Sequence, residues 1–297
     1  MKEIMMLITA MALAGSSVVV GKILTEAAPF FFATFDSLLV ALLCMLPLMR
    51  KRWHEIRRLD SLQYRYLFLQ GLCGIVLFRV FILYGLRSTS AVEAGIITGT
   101  TPAILVILSF FMLQEPLSLR SCTGVISAAS GCILINLLAE SGGRESTFLG
   151  CLLVLAAVVC EALFTIFRKR ICDTVSATTN TTVLLACSLL LVLPMAIYDW
   201  CRMDHLPDAE VFIGILYYGI FATVLAYLLW TKNVGKVSGA VAGAATAAMP
   251  ASSLLLGVAI LGEHLQWIHL VGCALIIAGI FITSGKAEPG SAINGTS

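Results

Sequence analysis

The sequence predicts an all-α integral membrane protein of ten transmembrane helices, arranged as two inverted five-helix repeats with both termini cytoplasmic. Three observations lead there: a composition too apolar for a soluble domain, ten apolar runs of membrane-crossing length, and one phrase written twice half a chain apart. Of 297 residues, 59% are hydrophobic and 12% charged, with a mean hydropathy of +0.98, whereas soluble domains carry about a quarter charged residues.

A helix needs about 20 residues at 1.5 Å rise to cross roughly 30 Å of hydrocarbon. Runs of that kind lie at Ile4 to Ile23, Phe30 to Met49, Tyr66 to Leu86, Ala91 to Leu113, Ser121 to Leu138, Phe148 to Phe167, Ala177 to Ile197, Val211 to Thr231, Ser238 to Leu261 and Trp267 to Ser284. The first is long for a signal peptide, has a weak basic start in Lys2 and Glu3, and is followed by nine more spans, so it reads as an uncleaved helix. Orientation follows from Lys and Arg. With the N-terminus inside, fourteen basic residues fall in inner segments, among them Arg50, Lys51, Arg52, Arg57, Arg58 and the run Arg168, Lys169, Arg170. Four fall in outer loops (Lys22, Arg87, Arg144, Arg202), and Arg79 lies inside a span. The basic loop after span two reads as a face for lipid headgroups and not for nucleic acid. The ten cysteines are scattered without a CxxC, most of them inside apolar runs, and read as small packing residues.

The repeated phrase is "GTTPAILVILSFFMLQEPL" from Gly99 and "AAMPASSLLLGVAILGEHL" from Ala247. At an offset of 148 residues, Thr98 matches Thr246, Pro102 matches Pro250, Glu115 matches Glu263, Gly124 matches Gly272 and Gly131 matches Gly279. Apolar helices share Leu and Ala by chance, but Pro, Glu and Gly in one ungapped register mark a duplication. Each half holds an odd number of spans, so the second copy enters the membrane from the opposite side. The halves are residues 1–143 and 144–285, followed by a polar tail, 286–297, whose composition predicts disorder.

The stretches "TPAILVILSFFMLQEPLSLRSCTGVISAASGCILI" and "MPASSLLLGVAILGEHLQWIHLVGCALIIAGIFI" resemble the two copies of the EamA domain of the drug/metabolite transporter superfamily, over essentially the whole chain. The resemblance implies a ten-helix transporter of small molecules in the cell membrane. One departure stands out: many members carry an arginine in the second span, where this chain has Asp36 in "FFATFDSLLVALL".

The residues give their own account of a site. Proline removes a backbone donor and clashes with the carbonyl four residues back, so Pro102 and Pro250 should kink spans four and nine. Paired interrupted helices in two inverted halves point to a midplane transport site. The small, hydroxylated neighbours Thr98, Thr100, Thr101 and Thr246 are offered to a ligand there, the alternative being a packing kink. Glycines seven apart on one helix face, Gly124 and Gly131 in span five and Gly272 and Gly279 in span ten, read as close helix packing. Glu115 and Glu263 read as caps on the start of the next helix.

Ionisable residues inside spans are costly and so are functional candidates. Asp36 and Arg79 share a depth of roughly 10 Å below the outer surface; as a pair they are either a structural ion pair or part of a substrate site. Glu93 begins span four on the same side. Glu161, in "AAVVCEALFTIFRKR", has no basic residue at its own depth and is the candidate for proton coupling or cation recognition, unless Arg168, two turns on, reaches back to it. Tyr227 maps onto Arg79 at the 148 offset and is a candidate to stack on a ligand, whereas Tyr84 and Trp230 lie near helix ends and read as interface anchors.

These readings predict a secondary or facilitated transporter, an exporter of small metabolites such as amino acids or related compounds, working by alternating access. Its partners are a small-molecule substrate, the bilayer and a coupling proton, with no cofactor, no metal and no nucleic acid. An intramembrane enzyme is the alternative from another class, but the chain has no HExxH or GxSxG, and its four histidines fall at span ends or in loops. A non-transporting receptor or subunit is the third.

Overall fold

The structure, a computed structural model, describes residues 1–50, 52–88, 94, 97–136, 147–203, 207–261 and 266–284. Glu93, Arg144, Glu263 and the tail 286–297 lie outside them. Every regular element among the described residues is helical: α1 (Lys2–Ala27), α2 (Phe30–Met49), the short α3 (Trp53–Arg57), α4 (Ser61–Gly71), a π-helical segment π1 (Leu72–Leu77), α5 (Phe78–Arg87), α6 (Thr101–Leu113), α7 (Leu119–Asn136), α8 (Phe148–Ile171), α9 (Ala177–Trp200), α10 (Ala209–Tyr217), a second π-helical segment π2 (Tyr218–Leu225), α11 (Ala226–Asn233), a 3-10 turn (Val234–Lys236), α12 (Gly239–Thr246), α13 (Ala248–Leu261) and α14 (Trp267–Ser284).

Seven of the helical runs are long and apolar enough to cross a membrane, and three shorter apolar helices lie where the sequence places spans four, five and ten. The chain is a multi-pass membrane protein. Helix starts are written in the sequence: Asp60 and Gln63 form a capping box on α4, Thr147 accepts from the Gly150 amide at 3.1 Å, Ser176 from Thr179 at 3.3 Å and Ser238 from Val241 at 3.3 Å. Each oxygen satisfies an amide that the helix itself leaves open.

The packing has a mirrored plan. Helix α1 packs on α13 and α11, while α8, its counterpart 148 residues on, packs on α6 and α5; α2 pairs with α9, and α7 with α14. The α7–α14 pair is the closest. A Cβ on Gly131 would meet the Gly272 carbonyl oxygen at 2.5 Å, and one on Gly279 would meet that of Gly124 at 2.6 Å. The glycine spacing therefore serves backbone-to-backbone packing, with Ser127 Oγ donating to the Leu275 carbonyl at 2.9 Å. None of the ten cysteines is disulfide-bonded.

The antiparallel α2–α9 pair is clamped at both ends by carboxylates. At one end Asp199 Oδ2 accepts from the amides of Phe31 and Phe32, at 2.9 and 3.3 Å, capping α2. At the other, Glu55 on α3 accepts from the hydroxyls of Ser176, at 2.5 Å, and Thr179 at the start of α9. Burial raises the Glu55 pKa, but those hydroxyls and the nearby Arg52 outweigh it, and the net shift is downward. A carboxyl lowered on folding stabilises above its unfolded value and loses that contribution as pH falls through its folded one. The melting temperature of the wild type should therefore fall more steeply than that of Glu55→Gln as pH drops below the ordinary glutamate value of 4.5. Parallel curves would remove the clamp from the account.

Candidate functional site

Two kinds of helix irregularity open the middle of the bundle, and each occurs once in both halves. The first is a break before a repeated proline. Helix α6 starts at Thr101 after a turn at Thr100, with Pro102 in its first turn, and α12 ends at Thr246 before α13 starts at Ala248 with Pro250 in its first turn. The prolines thus interrupt their helices, a stronger effect than a kink, because their fixed φ suits a helix start. The second is the π segments, which no reading of the sequence had placed. Shifted by 148 residues, Leu72–Leu77 falls inside Tyr218–Leu225. A π turn holds an extra residue and re-aims the side chains beyond it, and such turns gather at functional sites. Two residues past the end of each segment stand Arg79 and Tyr227.

Between these irregularities lies a cavity of about 170 Å³, room for several waters. Its wall repeats the register of the chain. Ala14 and Ala162, Ser17 and Thr165, Gly74 and Ala222, Phe78 and Ala226, Arg79 and Tyr227, and Thr101 and Met249 all line it, each pair 148 residues apart. The repeat is broken at its charged groups: Glu161 lines the cavity where the 148-residue offset puts Leu13, and Arg79 where it puts Tyr227.

Arg79 Nη1 donates to Thr34 Oγ1 at 2.7 Å, and its guanidinium stands 5.7 Å from the Tyr218 ring centre. Beyond it, toward the end of the bundle where Asp199 caps α2, a smaller cavity shares Arg79 and Tyr218 with the larger one. Glu161 takes a long 3.5 Å contact from Thr101 Oγ1, whose 2.7 Å bond goes to the Thr98 carbonyl, and no cation lies within salt-bridge distance of it among the described residues. Phe164 and Tyr227 meet edge to face at 5.7 Å. Trp230 is 3% exposed, and its indole N–H finds no acceptor among the described residues. Nor do three His, Cys, Asp or Glu side chains gather there to hold a metal.

A profile described as the EamA-like transporter family matches residues 1–137 and again 148–285. The chain belongs to the EamA-like transporter family. It is similar to a protein of Bacillus subtilis (strain 168) named "Uncharacterized transporter YetK", with 36% identity over 95% of this chain and 86% of that one. It is also similar to one of Salmonella typhimurium named "Probable amino-acid metabolite efflux pump", with 25% identity over 65% of this chain and 69% of that one. A solved crystal structure shares the fold at a TM-score of 0.79, with 20% identity over 95% of this chain and 96% of the other.

Within this EamA fold the sequence candidates separate. Arg79, Glu161, Tyr227 and Thr246 line the cavity; Asp36, Thr98, Pro102 and Pro250 do not. Thr101 and Met249, the residues just before each proline, stand there instead. Asp36 does not pair with Arg79. Residues two apart on a helix face different ways, and it is Thr34, 4% exposed, that meets the arginine. Arg168 does not reach back to Glu161 either. Its Nε donates to the Thr231 carbonyl at 2.8 Å and its Nη1 to the Val175 carbonyl at 2.9 Å. Trp230 is no interface anchor, because α11 turns it inward, whereas Tyr84 is 49% exposed, as an interfacial residue should be. Phe164, Thr165 and Tyr218 escaped the sequence reading; the 148 offset carried one helix further, onto Ser17, would have found Thr165.

The glutamate of the repeated phrase is a cap, but of a different helix. Glu115 accepts from the Gly239 amide at the start of α12, in the opposite half, and not from α7. Gln114, left-handed at φ 57° and ψ 32°, ends α6 and redirects the chain ahead of this glutamate.

Proposed function

We propose that this EamA protein is a secondary or facilitated transporter, in the export direction, of small metabolites that carry both charges and an apolar side chain, amino acids or related compounds among them. The observation that carries the reading is one aromatic-walled cavity that holds, among the described residues, an arginine whose contacts are the neutral Thr34 and Tyr218 and a carboxylate with no cationic partner. Arg79 suits a carboxylate, and Glu161, beside the Tyr227 and Phe164 rings, suits an ammonium group or a proton. The name of the Salmonella relative agrees with this substrate class.

In this reading residues 1–143 and 144–285 are inverted repeats, and the cavity on their pseudo-axis opens alternately to the two faces. The protein sits in the cell membrane with both termini cytoplasmic. Purified protein in proteoliposomes should move members of a labelled amino-acid panel, with competition by compounds that keep both charged groups. No movement of any member above protein-free vesicles would contradict the assignment.

The orientation has its own test. In a cysteine-free background, cysteines at positions 144 and 204 should react with an impermeant reagent from outside. Cysteines at 57 and 169 should react only after permeabilisation, and external labelling at 57 would reverse the topology.

A further inference from the structure

The run Arg168, Lys169 and Arg170, basic in the manner of any cytoplasmic loop, ties the end of α8 to elements on every side. Arg168 holds Thr231 and Val175, Arg170 donates to the Met112 carbonyl at the end of α6, and Lys169 pairs with Glu115 while donating to the Val237 carbonyl at 2.9 Å. Glu115 is fully engaged, one carboxylate oxygen on Lys169 and the other on the Gly239 amide. The lysine side chain is 6% exposed and the glutamate 25%, so the pair is largely shielded from water. All these bonds lie at the basic end of the bundle, the end away from the small cavity beyond Arg79.

We propose that the Glu115–Lys169 pair, seated on the first amide of α12, is the gate that closes the basic end of the cavity. It rests on the alternating-access reading above and adds the place where access is interrupted. Three features make it a gate and not merely a rivet. It joins the turn after α6 to α8 and α12, elements of opposite halves, the parts that alternating access must separate. It depends on Gly239, where a Cβ would lie 2.0 Å from Ser109 Oγ, so α12 and α6 meet at a distance only glycine allows. And α8, which meets α6 at the cavity through Glu161 and Thr101, meets the turn two residues past the end of α6 at the gate through Lys169 and Glu115. On α8 the two contacts are eight residues apart, roughly 12 Å along one rigid helix, so a ligand or proton that changes the Glu161 contact acts on the same helix pair.

The test needs no substrate, which separates it from the transport assignment. Thr165→Cys, on the cavity wall, serves as reporter in a cysteine-free protein reconstituted in vesicles and is labelled by an impermeant thiol reagent applied at the basic end. Glu115→Gln should raise the labelling rate about tenfold, the scale set by losing hydrogen bonds to a charged group. Gly239→Ala should raise it too, by wedging α12 from Ser109 on α6 and pressing on Glu115 Oε2 while leaving both charged side chains in place, and it provides the reading if Glu115→Gln does not fold. Labelling unchanged in the folded variants overturns the gate while leaving transport through the cavity intact.

Discussion

Glu161→Gln is expected to insert and fold as the parent protein does, and to lose at least about tenfold in proton-driven substrate accumulation in proteoliposomes, with exchange of substrate across the membrane retained. The glutamine keeps the shape and removes the titration. Folding should survive because the carboxylate is hardly built into the structure. Among the described residues its hydrogen bond is the long one from Thr101, whose hydroxyl has a shorter partner in the Thr98 carbonyl. A structural role predicts the reverse pattern, a variant that melts early and transports normally once folded. Wild-type rate and pH dependence together would leave Glu161 incidental to both.

Gly131→Val and Gly279→Val should each damage the fold and not the chemistry. The nearest atom that an added Cβ meets is a backbone oxygen of the facing helix, Gly272 O for the first and Gly124 O for the second, with the backbone nitrogens of Ile276 and Ala128 and their side chains close behind. Backbone cannot rotate aside as a long side chain does, so α7 and α14 must move apart. Overpacking of this kind costs about 1–3 kcal/mol or more, a fall in melting temperature of roughly 5 °C or more in detergent. Variants that melt with the parent would mean that the glycines are not the contact on which the pair depends.

Much of the helical architecture was legible because a bilayer imposes it: spans from apolar length, and helix pairings that recur 148 residues on from Pro, Glu and Gly repeated in one register. The site was legible where an expensive residue marked it. Arg79 and Glu161 announced themselves as charges in hydrocarbon, and Tyr227 through its register with Arg79. What escaped has common physical causes. The π segments leave no trace in composition, since Leu72–Leu77 reads as an ordinary apolar helix, and only the hydrogen-bond pattern departs. Periodicity places a residue at a depth but not on a face, which is how Asp36 came to be paired on paper with an arginine that Thr34 meets. Capping has a sequence signature only when cap and helix are neighbours in the chain. Glu115 caps a helix 124 residues away, so its type of role was readable and its partner was not. Trp230 shows the same limit, because an aromatic near a helix end faces lipid or protein according to helix rotation alone.

The most direct measurement of the central claim is transport by a Thr246→Cys variant, in a cysteine-free background, before and after reaction with a bulky thiol reagent. Thr246 lines the cavity from α12 and is 8% exposed, so an adduct there fills space that a passing substrate needs. The account predicts an unmodified variant that transports and a modified one that remains folded and does not, with substrate slowing the modification. Complete modification that leaves the transport rate unchanged would contradict it, because the substrate would then be crossing the membrane somewhere other than this cavity.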